Sequence, residues 1–233
     1  MLKKKVFLDF DGVLVDSAFE AFRVAASTIS AISSPFDNTR DDMYHEFLVY
    51  RKVVAPAWNY YYVIRDLFDE GGFKEPWLHT HEAKSFENRF ISERNRIRKY
   101  DRQKWLSLHK TYFDLAWLDQ FGCIDIVTNK PKDAVKDLLE MNGCPCLASR
   151  IYDREDWPDG SRKSSFIEKI YQNESLDSAI FVDDHTDTIL EMNRLASLDV
   201  SSYQALWGYS DRCENVNSIS EDEFKPLLLD YIE

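Results

Sequence analysis

Asp9 and Asp11 stand two residues apart at the end of the apolar run Val6-Phe7-Leu8, and Gly12 follows at once. In an extended chain successive side chains alternate, so the two carboxylates share one face while Phe10 turns to the other. Like charges held that close repel, and the pair requires a divalent cation, a shared proton or both. Gly12 supplies the conformational freedom for a turn directly behind them. A second acidic group ends another apolar run: Ala179-Ile180-Phe181-Val182 leads into Asp183, Asp184 and Asp187. Oxygen donors of this kind suit a hard cation such as Mg²⁺, which takes one or two carboxylates and keeps several waters.

The elements that must carry these residues form an α/β pattern. From about residue 121 onward, short apolar runs alternate with helical stretches, which predicts a parallel sheet with crossover helices. Strands are expected at 123–127, 147–152, 178–182 and 200–205, and helices at 131–141, 164–171, 187–195 and from 221 onward. With the strand at Val6 this gives a doubly wound, Rossmann-like core of about five strands. Between residues 17 and 105 strand signals vanish and helical periodicity takes over. Breaks at Ser33-Ser34-Pro35, Ala55-Pro56 and Glu70-Gly71-Gly72-Phe73 divide this stretch into several helices. The expected organisation is therefore a core of residues 1–16 and 106–233 with a helical insertion over 17–105.

Composition narrows the function classes. The chain has 233 residues, 44% hydrophobic and 14% aromatic, enough for a sizeable core. Its 29 basic against 41 acidic residues give a net charge of −12, which speaks against nucleic acid and anionic membrane as partners. The apolar runs fall far short of the roughly 20 residues that span a bilayer. Lys3-Lys4-Lys5 leads into a strand rather than a secretory apolar region, and the four cysteines form no disulfide framework, so the cytoplasm is the expected compartment. Cys144-Pro145-Cys146 lacks a second cysteine pair to complete a zinc site and is read as loop cysteines. Residues 84–104 hold eight basic and three acidic residues. They are read as the solvated face of an amphipathic helix whose buried face is Phe86, Phe90, Ile97 and Tyr100. Trp58 and Tyr60-Tyr61-Tyr62 are read as packing within the insertion.

The segment Asp9-Phe10-Asp11-Gly12-Val13-Leu14-Val15-Asp16-Ser17 resembles the first motif of the haloacid dehalogenase superfamily, in the branch of phosphoglycolate phosphatase and beta-phosphoglucomutase. Three further motifs follow in the family's order. Ile126-Val127-Thr128-Asn129-Lys130-Pro131 matches the second, which places a hydroxyl at a strand end to bind a phosphoryl oxygen. The third is a lysine, for which Lys163 is the best placed, with Arg162 and Lys130 as alternatives; serines follow it where the family usually has proline. The fourth is the cluster at Asp183, with Val182 where many relatives have glycine.

The resemblance implies a Mg²⁺-dependent phosphatase acting on a small phosphorylated metabolite, with the insertion as a helical cap that sets substrate choice. It assigns Asp9 as nucleophile, Asp11 as acid and base, Thr128, Asn129 and Lys163 to the phosphoryl group, and Asp9, Asp11 and Asp183 to the metal. Asp184 and Asp187 are alternative ligands, and Asp183 is favoured over Asp184. Rival activities within the superfamily are a phosphomutase and a phosphonate hydrolase, the latter needing a lysine such as Lys52, Lys74 or Lys84 from the cap. Dehalogenases lack the second aspartate, so Asp11 argues against that chemistry. The rival from another class is a non-catalytic binding protein of the same fold.

Overall fold

The computed structural model describes residues 2–29, 41–54, 56–69, 77–158, 160–195 and 197–233. The expected breaks at Ser33-Ser34-Pro35 and Glu70-Gly71-Gly72-Phe73 lie outside them, as do Ala55, Lys74 and Asp159. In chain order the elements are β1 (Lys4–Leu8), β2 (Val15–Asp16), α1 (Ala18–Ile29), α2 (Asp41–Arg51), α3 (Tyr60–Asp69), α4 (His81–Tyr100), α5 (Arg102–Leu106) and β3 (Lys110–Thr111). These are followed by β4 (Ile124–Val127), α6 (Lys132–Met141), β5 (Ile151–Tyr152), α7 (Lys163–Glu174), β6 (Ser178–Asp183), α8 (Thr186–Asn193), β7 (Val200–Ala205), β8 (Ser218–Ile219) and α9 (Glu221–Ile232). The chain forms two compact units, Met1–Asp16 with Thr111–Glu233, and Ser17–Lys110. No helix among the described residues is long and apolar enough to cross a membrane.

The first unit is built on a six-stranded sheet in the order β5-β4-β1-β6-β7-β8, with every pairing parallel. Val6, Phe7 and Leu8 of β1 are fully buried, as are Phe181 and Val182 of β6. Strands covered on both faces read as continuous apolar runs, and that is how these read in the sequence. From β1 the chain reaches β4 and β5 on one side, then recrosses to β6, β7 and β8 on the other. β1 is thus the point where strand order reverses, and such sheets gather their ligands at the strand ends there. Register brings Leu8 opposite both Ile126 and Val182. Helices fit by the same rule: α6 buries Ala134, Val135, Leu138 and Leu139 along one stripe.

Two expectations change. The sheet has six strands rather than about five, because β8 is a two-residue edge strand, too short to display a period. The strand expected over 147–152 is confined to Ile151–Tyr152, and Leu147–Ser149 is a turn of 3₁₀ helix. The Ser149 and Arg150 amides donate to the Cys146 and Leu147 carbonyls at 3.1 and 2.9 Å, and these i→i+3 bonds tie the segment into a turn instead of a strand ladder.

The second unit packs α1 to α5 around aromatic rings. Tyr60 stacks on Phe47 at 5.5 Å and on Phe90 at 5.4 Å, and all three are buried. On α4, Thr80 caps the N-terminus by accepting from the Ala83 amide at 3.2 Å. Its buried face is Phe86, Phe90, Arg94 and Ile97, whereas Tyr100 is 78% exposed. Arg94 is therefore not part of a solvated face. Its guanidinium donates to the fully buried Glu20 at 2.7 and 2.9 Å, and the Trp105 indole donates to the same carboxylate at 3.1 Å. A buried charge needs such a partner, and a bidentate fork is the geometry arginine supplies best. Glu20→Ala should destabilise this unit by about 3–5 kcal/mol, because it strands a buried guanidinium. Urea unfolding followed by tryptophan fluorescence tests this; a change below about 1 kcal/mol would show that Arg94 reaches solvent when its partner is removed.

Candidate active site

The site starts from two adjacent strand ends. The Asp9 amide donates to the Val182 carbonyl at 2.9 Å, which continues the β1–β6 ladder and sets Asp9 beside Asp183. Lys163, the first residue of α7, reaches between them. Its ammonium lies 2.9 Å from Asp9 Oδ1 and 2.6 Å from Asp183 Oδ2. All three residues are buried. The other oxygen of Asp183 accepts the His185 amide at 2.8 Å, so both of its oxygens are engaged. Burial alone would lower the Lys163 pKa, but the Asp183 and Asp9 carboxylates outweigh it and hold the ammonium charged. Burial pushes Asp9 the other way. Lys163 opposes the shift, Asp183 and Asp11 add to it, and the Asp9 pKa is pushed up to about 6.

Asp184 is clasped by glycine backbones. Gly12 has φ +90°, and a Cβ there would stand 2.5 Å from the Asp184 carboxylate; at Gly208 it would stand 2.2 Å from Asp184 Cβ. Both positions exclude a side chain, and Gly12 also needs the left-handed conformation that glycine adopts without strain. One oxygen each from Asp9, Asp183 and Asp184 gathers within 4.8 Å of the others. An all-oxygen donor set of this density fits a hard divalent cation that retains water. Asp187 lies exposed on the first turn of α8 and is not one of the three.

Asp11 is met by a different lysine. Lys130 Nζ lies 3.1 and 3.4 Å from its two carboxylate oxygens, with the Lys130 side chain almost fully buried. Thr128 is buried at the end of β4, and its hydroxyl oxygen accepts the Lys130 amide at 3.2 Å. It does not cap α6; Asp153 does, accepting the Lys132 amide at 2.6 Å. Asn129 is exposed. Arg162 pairs with Glu191. Of the three cations that the sequence left open, Lys163 stands against Asp9 and Asp183, Lys130 stands against Asp11, and Arg162 turns to Glu191. Sequence reasoning missed Gly208 and Tyr209, whose amide donates to Asp184 Oδ2 at 2.8 Å. No local pattern announces them.

Neither the family models nor the curated proteins yield a match to the chain. Solved structures do. A predicted phosphoglycolate phosphatase from Haemophilus somnus matches with a TM-score of 0.67 at 19% identity, covering 98% of each chain. A haloacid dehalogenase-like family hydrolase from Streptococcus pneumoniae matches at 0.61 and 15% identity, again over 98% of each. A predicted phosphatase from Clostridium acetobutylicum matches at 0.57 and 17% identity, over 99% of this chain and 100% of that one. The chain has the haloacid dehalogenase-like fold. In that fold the residues gathered here stand at the ends of the central parallel strands, at the reversal of strand order.

The burial of Asp9 has a pH signature. Its folded-state value of about 6 lies above the ordinary 3.8, so the native state binds this proton more readily than the unfolded chain. The stability cost of this site is fully present above about pH 6 and is relieved as pH falls toward the unfolded value. With a chelator present, wild type should gain stability relative to Asp9→Asn as pH falls from about 8 to about 5 in thermal unfolding. Parallel pH curves for the two proteins would contradict the burial argument.

Proposed function

We propose that the protein is a Mg²⁺-dependent phosphatase of the haloacid dehalogenase superfamily, hydrolysing a small phosphorylated metabolite through an aspartyl-phosphate on Asp9. The observation that carries this reading is the placement of Lys163 between Asp9 and Asp183, with Asp184 beside them. The ammonium keeps Asp9 oriented and offsets the charge of an arriving phosphoryl group. Asp9 then attacks phosphorus in line, its Oδ–P bond forming as the ester oxygen leaves. Asp11 gives that oxygen a proton and later removes one from the water that cleaves the aspartyl-phosphate. Lys130 fixes the Asp11 carboxylate for this exchange. Thr128, buried at the strand end, directs its hydroxyl to a phosphoryl oxygen, and Lys163 completes the electrostatic cradle.

Asp9, the Asp11 backbone carbonyl and Asp184 would hold the cation. Asp184 takes precedence over Asp183, the motif's first candidate, because Asp183 has one oxygen on Lys163 and the other on the His185 amide. When bound, Mg²⁺ supplies Lewis-acid polarisation of the phosphoryl oxygens and relieves the repulsion between two anions.

Hydrolysis of p-nitrophenyl phosphate, measured with and without Mg²⁺, tests the reading. Turnover should require the metal, and Asp9→Asn should lower kcat by about a thousandfold or more. Thr128→Ala should lower kcat by about a hundredfold through loss of one donor to the transition state. Metal-independent turnover, or an active Asp9→Asn protein, would overturn the assignment.

A further inference from the structure

One turn touches the acidic cluster and the loop after β1 together. Beyond β7 the chain runs Leu206-Trp207-Gly208-Tyr209. The Tyr209 amide donates to Asp184 Oδ2 at 2.8 Å, and its hydroxyl reaches Asp16 Oδ1 at 3.1 Å. The Trp207 indole donates to the Val13 carbonyl at 2.9 Å. Gly208, between them, lies so close that a Cβ would meet the Gly12 carbonyl oxygen at 2.7 Å as well as Asp184.

This turn is itself anchored from within the sheet. Gln204 in β7 is fully buried. Its amide nitrogen lies 2.9 Å from the Asp211 carbonyl, 3.2 Å from the Thr186 hydroxyl and 3.4 Å from the carbonyl of Asp184. Its amide oxygen accepts the Cys213 amide at 3.0 Å. A buried carboxamide carries two donors and an acceptor that must be satisfied, so it fixes whatever it joins. Here it joins the loop after β6 to the turn after β7. The Trp207 ring, packed 5.4 Å from Phe224 and 6.2 Å from Phe113, holds the other end.

We propose that residues 206–213, held by Gln204, act as a strap that fixes the Asp184 carboxylate and thereby sets the affinity of the acidic cluster for its divalent cation. Without it, repulsion from Asp9 and Asp183 would favour rotamers that carry Asp184 away from them. Outer partners that orient a metal ligand are worth about 10–100-fold in metal affinity. These are positioning residues, and the inference rests on the metal-site reading above.

The test is calorimetric titration of the substrate-free, chelator-stripped protein with Mg²⁺, comparing wild type, Gly208→Ala and Gln204→Met. Both variants should bind Mg²⁺ about 10–100-fold more weakly. Their kcat on p-nitrophenyl phosphate should return toward wild type at saturating Mg²⁺, a split that general loss of structure would not give. Gln204→Met adds no atom beside Asp184 and decides the matter if Gly208→Ala does not fold, with circular dichroism as the check. Wild-type affinity in a folded Gln204→Met protein would overturn the strap alone. Failure of wild type to bind Mg²⁺ would overturn the metal site and the strap with it.

Discussion

The ammonium of Lys163 between Asp9 and Asp183 is the contact on which the site depends. Adjacent parallel strands in this register bring two carboxylates together at their ends, and neither tolerates burial beside the other without a cation. Lys163 is an unfavourable choice by local rules, since it opens α7, where the helix dipole repels positive charge. It is stable there because two buried carboxylates face it. Topology makes the meeting possible: α7 is the crossover from β5 to β6, so its first turn is delivered to the strand ends where β1 and β6 lie side by side.

Three carboxylates, Asp9, Asp183 and Asp184, crowd the single ammonium of Lys163, a donor set that the proposed divalent cation would balance. Asp11 is handled separately by Lys130. The result is two carboxylates two residues apart in different electrostatic surroundings, one buried with Lys163 and the acidic cluster, the other more exposed against a buried lysine. Surroundings separated in this way are what the proposed division of roles, nucleophile and proton carrier, requires of two residues of one type.

What was legible in the sequence was whatever a short window encodes. Val6-Phe7-Leu8 before Asp9 and Ala179 to Val182 before Asp183 announced buried strands with acidic ends, and Ile126-Val127 did so for Thr128. Partnerships across long separations were not legible. Lys130 and Asp11 are 119 residues apart, and Arg94 and Glu20 are 74 apart. A charge count over 84–104 could not reveal that one of its arginines is buried. Gly208 and Tyr209 gave no signal because their role is set by backbone proximity to Asp184 and not by side-chain chemistry. Motif position favours Asp183 as the ligand, whereas the hydrogen bonds behind the proposed choice of Asp184 appear only once α7 and the turn at His185 are in place.

The most direct measurement is acid-quenched, single-turnover reaction with p-nitrophenyl phosphate and Mg²⁺, followed by peptide mapping of the denatured protein by mass spectrometry. One phosphoryl group is expected, transiently present and confined to the side chain of Asp9. A phosphoryl group on another residue, or product formation with no protein-bound phosphoryl at any quench time, would contradict it.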